Sequence, residues 1–217
     1  MYVPAAFAET DRSRLFDAIE ANPFGLLVST GPEGPTASHV PFLVDREAGV
    51  LSCHLARVNP QAGGPQADRL DGQPVLCVFS GPHAYVSPRW YATRRAVPTW
   101  NYVAIQAAGT ARTITDPAAL AEMVDRMSAH FEAGRPDPWS TATAPKGVVE
   151  GLLPHITGVE IAVERLDGAF KLSQNRSRRD RSGVVDALSR SANPADRAIA
   201  EAMAAQLASA DPSQPGS

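Results

Sequence analysis

Three polar groupings in this sequence have residue types suited to gripping a ligand. The first is "HLARVNPQ" at 54–61, where His54 opens the stretch and Arg57 and Asn59 fall just past the end of an expected strand. A phosphate needs charge-assisted donors arranged as a fork. A guanidinium beside a carboxamide and free backbone N–H groups supplies them; the same residues also suit a solvated loop. The second grouping is aromatic: "HAYVSPRWY" and "VPTWNY" carry Tyr85, Trp90, Tyr91, Trp100 and Tyr102. Aromatics at this density are ordinary core, and they also suit the walls of a slot for a flat heteroaromatic ring. Asn101 both donates and accepts, which matches a ring edge that does both. The third grouping, "KLSQNR" at 171–176, places Lys171, Ser173, Gln174 and Asn175 in a row at a strand end, where any hairpin exit could carry them.

Other chemistries lack their residues. There is no G-x-G-x-x-G after a strand, no Gly-Lys-Ser phosphate loop and no G-x-S-x-G elbow. Ser38 and His39 are neighbours in an expected strand and point to opposite faces, so they do not form a nucleophile–base pair. His39, Cys53, His54, Cys77 and His83 show no metal-ligand spacing. No metal site and no catalytic residue is expected, His83 and Tyr85 being the candidates for a general acid or base.

The elements that would position these groups are mostly short strands. Thr10 or Asp11 caps a first helix with Leu15, Phe16 and Ile19 on one face. Strands follow at 25–30, 35–44 and 50–55, the second marked as an edge or bulged strand by Pro41. Residues 56–73 form a long connection. "PVLCVFSG" at 74–81 is a strand, with 83–88 pairing to it, and a long strand covers 99–114. Asp116 and Pro117 start a helix whose stripe Leu120, Met123, Val124, Met127, Phe131 reads as core. The segment 134–145 is a proline-rich surface excursion. "GVEIAVERLDGAFKLS" reads as a β-hairpin turning at Asp167-Gly168. "NRSRRDRSG" is a polar connector to two helices, the second capped by Asn193 with Pro194. The result is about seven or eight antiparallel strands with peripheral helices, which favours a closed or half-closed barrel.

Composition sets the outer limits. With 217 residues and 44% hydrophobic content the chain can bury one good core. A net charge of −3 leaves any DNA contact to a local basic patch. Cys53 and Cys77 sit in apolar stretches and read as buried free thiols. No apolar run is long enough to span a membrane, and "MYVPAAFAETDR" lacks the pattern of a secretory leader, so the expectation is a cytoplasmic protein without a membrane partner. The expected organisation is one domain over 1–205 with a helical C-terminal extension, and a disordered tail over 206–217.

Six stretches in order carry a resemblance: "MYVPAAFAETD", "SHVPFLVD", "HLARVNPQ", "SGPHAYVSPRWY", "VPTWNY" and "KLSQNRSRRDRSGVV". Over Met1 to about residue 205 they resemble the PaiB-type FMN-binding negative transcriptional regulators. The resemblance implies a split β-barrel, mainly β with peripheral helices (α+β), acting as a homodimer with FMN in a cleft between subunits. It implies that Ser38, His39, Val40 and Pro41 run along the flavin, and that His54, Arg57 and Asn59 hold the ribityl phosphate. Trp100 and Asn101 would close over the ring, with Lys171, Gln174 and Asn175 contributed by either subunit. One departure is "AGGPQ" at 62–66, where an aromatic is expected after "NPQ". Two other functions stand beside the regulator: an FMN-dependent oxidoreductase, of the flavin reductase or pyridoxamine-phosphate-oxidase kind, and a haem-binding split barrel. Arg176, Arg178, Arg179 and Arg181 would form the patch for a DNA partner, or a solvated connector.

Overall fold

The computed structural model describes residues 1–62, 70–93 and 96–209. In chain order its elements are β1 (Ala8–Glu9), α1 (Arg12–Ala21), β2 (Phe24–Gly31), β3 (Gly34–Pro41), β4 (Leu43–Asp45), β5 (Val50–Ala56), β6 (Pro74–Val86), β7 (Thr99–Ile114), α2 (Pro117–Glu132), α3 (Val148–Leu152), β8 (Ile156–Lys171), α4 (Arg178–Ser189) and α5 (Pro194–Ser209). The sheet runs β3-β2-β6-β7-β8-β5-β4, with β1 paired to β8. Every pairing recorded in register is antiparallel. The expected class, a mainly antiparallel sheet with helices around it, is the observed one. No described helix is long and apolar enough to cross a membrane.

By internal contacts the chain divides into two compact units. One holds Met1–Ala18, Ser80–Ile105 and Asp167–Ser217; the other holds Ile19–Phe79 and Gln106–Leu166. In the second unit β2 and β3 form a hairpin paired from Phe24↔Pro41 to Gly31↔Gly34. Gly34 ends the tight turn at φ +106, a conformation that favours glycine. Pro41 closes β3, which lies at one end of the sheet order as its proline requires. Asp116 caps α2 by accepting from the amides of Ala118 (3.1 Å) and Ala119 (3.0 Å). The expected stripe then divides: Leu120, Met123 and Met127 are buried with Ile114 and Leu153, while Val124 and Phe131 are half-buried.

The first unit has its own core. Ala84 and Val86 of β6 pack with Tyr91, Leu172, Val184 and Leu188 of α4, and Ile199, Ala200 and Met203 of α5. Although alanine-rich, α5 continues its apolar spacing to Leu207, and Arg178 Nη1 donates to the Leu207 carbonyl at 3.2 Å. The helix therefore holds through Ser209, past the expected start of the tail; the rest of that stretch, 210–217, lies outside the described residues.

Three expected elements differ. Residues 74–81 and 83–88 do not pair: 74–86 is one strand, whose buried positions shift from Val75, Cys77, Phe79 and Gly81 to Ala84 and Val86, the one-residue slip of a bulge. The Asp167-Gly168 turn does not form either, because β8 is continuous and β1 pairs across it, Ala8↔Ala169 and Glu9↔Gly168. Gly168 serves close approach: a Cβ there would lie 2.0 Å from Leu15 Cδ2. Asp167 instead accepts from the Met1 ammonium at 2.6 Å.

The polar connector is the third difference, since α4 already begins at Arg178. Ser177 caps it, its side chain accepting from the Asp180 amide at 3.2 Å. Asp180 is buried and accepts from the Thr93 amide (2.9 Å) and hydroxyl (3.0 Å). Burial alone would raise its pKa; hydrogen bonds from Thr93, Ser177 and Ala92 outweigh this and lower it. The stability this contributes is fully present above the ordinary carboxylate value and is lost as pH falls through the lowered one. Thermal unfolding followed from pH 7 down to pH 3 should show this acid loss in the wild type and a shallower one in Asp180→Asn; equal slopes would remove Asp180 from the account.

Candidate functional site

The second unit gathers one set of expected site residues where β5 ends. The Arg57 amide donates to the His155 carbonyl at 2.8 Å, and its side chain reaches back through Nη2 to the Ile156 carbonyl at 3.3 Å. Its Nε is sealed from solvent with no hydrogen-bond partner, and among the described residues Arg57 makes no ion pair. The guanidinium lines a pocket of about 440 Å³ together with Thr115, Pro117, Leu153 and Pro154, and Glu150 stands exposed at the rim. A guanidinium that lines a pocket and has no carboxylate partner among the described residues can donate charge-assisted bonds to an anion. This observation fits a phosphate group.

Asn59 ties its loop to the neighbouring hairpin. Its Nδ2 donates to Ser38 Oγ at 3.0 Å and its Oδ1 accepts from the Gln61 amide at 2.8 Å. Gln61, buried, donates from Nε2 to the Leu27 carbonyl and to Ser29 Oγ, both at 2.9 Å. The chain leaving β5 is thereby fastened onto the β2–β3 hairpin. Gln61 Oε1 remains buried without a partner.

Along β3 the side chains alternate. Ser38 is half-buried against Asn59 and Val40 is core, whereas His39 is exposed and stacks on Phe24 with ring centroids 5.9 Å apart. Pro41 and His54 meet in a second, smaller pocket of about 260 Å³, closed by Val124, Phe131, Glu132 and Trp139. Burial lowers the His54 pKa, and its Nδ1 has no partner. Glu132 lines the same pocket.

The first unit gathers the other set. Strand parity sends Asn101 inward and Trp100 outward. Asn101 is fully buried; its Nδ2 donates to Ser173 Oγ (3.0 Å) and Met203 Sδ (3.2 Å), and its Oδ1 pairs with the Ser173 hydroxyl at 3.1 Å. Ser173 takes a left-handed φ of 61, sparse for a residue with a Cβ, and these contacts hold it there. Trp100 is 52% exposed, with Tyr85 edge-on at 6.1 Å and His83 at 6.2 Å. Lys171 Nζ donates to Thr99 Oγ1 (2.5 Å) and the Trp100 carbonyl (2.7 Å), and sits 5.9 Å from both the Phe7 and Tyr102 rings. Burial lowers its pKa. Gln174 spends its amide on its own turn, accepting from the Leu172 amide at 2.7 Å and donating to the Phe170 carbonyl. Asn175 is exposed.

So Ser38 joins Asn59, Pro41 joins His54, and Trp100, Asn101 and Lys171 are tied through one strand end. Val40 is core, and His39 and Asn175 face solvent. Sequence reasoning passed over Trp139 and Gln61; a tryptophan inside a proline-rich polar segment is the one signal for the first. The two thiols are inert: burial, with Cys77 adding to it, raises Cys53 well above the ordinary value, and burial pushes Cys77 up to about 12. Among the described residues, no cluster of three or more His, Cys, Asp or Glu side chains could hold a metal ion.

The chain is similar to several known proteins. Residues 1–165 match the family described as "Putative FMN-binding domain". The protease synthase and sporulation protein PAI 2 of Bacillus subtilis is 35% identical over 211 residues, covering 95% of this chain and 98% of that protein. Among solved structures, the flavocytochrome Anf3 of Azotobacter vinelandii aligns with a TM-score of 0.59 at 14% identity, over 76% of this chain and 69% of that one. The FAD and heme binding protein of Mycobacterium smegmatis aligns at 0.57 and 18% identity, over 76% and 73%. At such identities the likeness shows the fold, the split β-barrel.

Proposed function

The chain belongs to this PaiB-type FMN-binding family, and from that premise we propose a flavin-binding regulator of transcription. FMN is its cofactor and supplies, when bound, a redox-active tricyclic ring. The observation that carries the site assignment is the half-buried Arg57, whose Nε has no partner and whose guanidinium opens on a pocket. Arg57 holds the phosphate by charge-assisted bonds. Asn59, bonded to Ser38, fixes the loop that presents it. Trp100, with Tyr85 and His83 beside it, offers an exposed aromatic face that a second copy of the chain would cover. A homodimer is part of this proposal.

The regulator reading rests on the family resemblance and draws support from α4, where Arg178 and Arg179 stand exposed beside the half-buried Arg176. Arginines so placed suit phosphate-backbone contacts. The test is an electrophoretic shift with DNA upstream of the chain's own coding region, with and without FMN, at two salt concentrations. The regulator should bind, and its affinity should fall steeply with salt, with a log–log slope of about −0.9 per phosphate neutralised. A yellow protein that leaves DNA unshifted and oxidises NAD(P)H would overturn the regulator and favour the oxidoreductase.

A further inference from the structure

The niche at His54 belongs to neither the phosphate pocket nor the aromatic face. The segment 134–145 has little regular structure, yet it is fastened to α2 at several points. The Trp139 amide donates to Glu132 Oε2 at 3.1 Å, the Thr141 hydroxyl bonds the Asp125 carboxylate, and Ser140 and Thr143 cap one another reciprocally. These contacts hold an indole that remains 44% exposed. Trp139 and Phe131 form aromatic walls, with Pro41 and Val124 completing the apolar surface. Three polar side chains line it: His54, whose Nδ1 is sealed from solvent without a partner, Ser128, and Glu132, whose Oε1 lies 3.4 Å from Arg135 Nε. Apolar walls with a few convergent polar groups are the usual make-up of a small-molecule site. Its volume of about 260 Å³ falls below the range of about 300–1,000 Å³ usual for larger ligands, and suits a single ring.

We propose that the niche between His54 and Trp139 binds an uncharged single-ring aromatic molecule carrying a hydrogen-bond donor. The ring lies against Trp139 and Phe131. The donor meets the Glu132 carboxylate, and His54 supplies the second polar contact. An anion is disfavoured, because it would lie beside a carboxylate whose own cation, Arg135, is mostly exposed and screened by solvent. The niche shares neither Arg57 nor Trp100 with the proposed flavin site, although the family resemblance places its Pro41 and His54 at FMN.

Benzamide and benzoate test this, being close in shape and different in charge. Binding is followed by Trp139 emission and by the NMR signals of the His54 ring, on protein with and without FMN. The wild type should bind benzamide at least about tenfold more tightly than benzoate. Glu132→Gln, whose amide oxygen still accepts from the Trp139 amide, should narrow that ratio to about threefold or less. His54→Leu and Trp139→Leu should each weaken benzamide about tenfold. Equal binding of the two probes, no movement of the His54 signals up to the solubility limit of benzamide, or unchanged binding by both leucine variants would overturn the proposal. Loss of FMN affinity is measured separately and bears only on the flavin site.

Discussion

Arg57→Ala is expected to weaken FMN binding roughly 10- to 100-fold, about 1.5–3 kcal/mol, the value of a hydrogen bond to a charged group. The fold should tolerate the change. Within the described structure the side chain makes one long bond, from Nη2 to the Ile156 carbonyl at 3.3 Å, and its Nε makes none. Arg57→Lys should fall between, keeping a positive charge and losing the planar fork. Quenching of FMN fluorescence on titration with each protein reads the affinities. An unchanged Arg57→Ala constant would move the phosphate away from the end of β5.

The second large effect is on stability. Gly109→Ala should cost about 3 kcal/mol, lowering the unfolding temperature by about 6–12 °C for a chain of this size. A Cβ on Gly109 of β7 would lie 1.9 Å from the Ala162 carbonyl oxygen of β8 and 3.2 Å from Ile161 Cγ2. The obstacle is backbone, and it is held from its other side, since Ala162 pairs with Val50 and Ile161 with Leu51 of β5. Relief therefore means shifting strands already in register. Gly31→Ala is the matched control: nothing lies within 4 Å of its added Cβ, and the change should stay within about 0.5 kcal/mol. Two equal melting curves would mean that β7 and β8 do not pass so closely.

How much was legible depended on how local the signal was. The strand 99–114 could be read to the residue, because its buried positions alternate from Asn101 through Ala111 without a break. The caps Asp116 and Asn193 were legible because each bonds amides within three residues of itself. Gly168 was misread because Asp-Gly is the strongest local turn signal, while the Leu15 side chain that demands the glycine comes from α1. Asn101 stood out by type, but its partners Ser173 and Met203 lie 72 and 102 residues away, beyond any pattern. Arg57 was found by type and position at a strand end. Its orphaned Nε, the feature that argues for a ligand, exists only once the β5–β8 pairing brings Ile156 beside it.

The central claim is that the phosphate of FMN is held by Arg57, and comparing FMN with riboflavin, which lacks only that phosphate, tests it most directly. Dissociation constants for both, on wild type and Arg57→Ala, form a double cycle. The account predicts that the wild type prefers FMN by roughly 10- to 100-fold and that Arg57→Ala brings the two ligands within about threefold. A variant that keeps the full preference for FMN would contradict it.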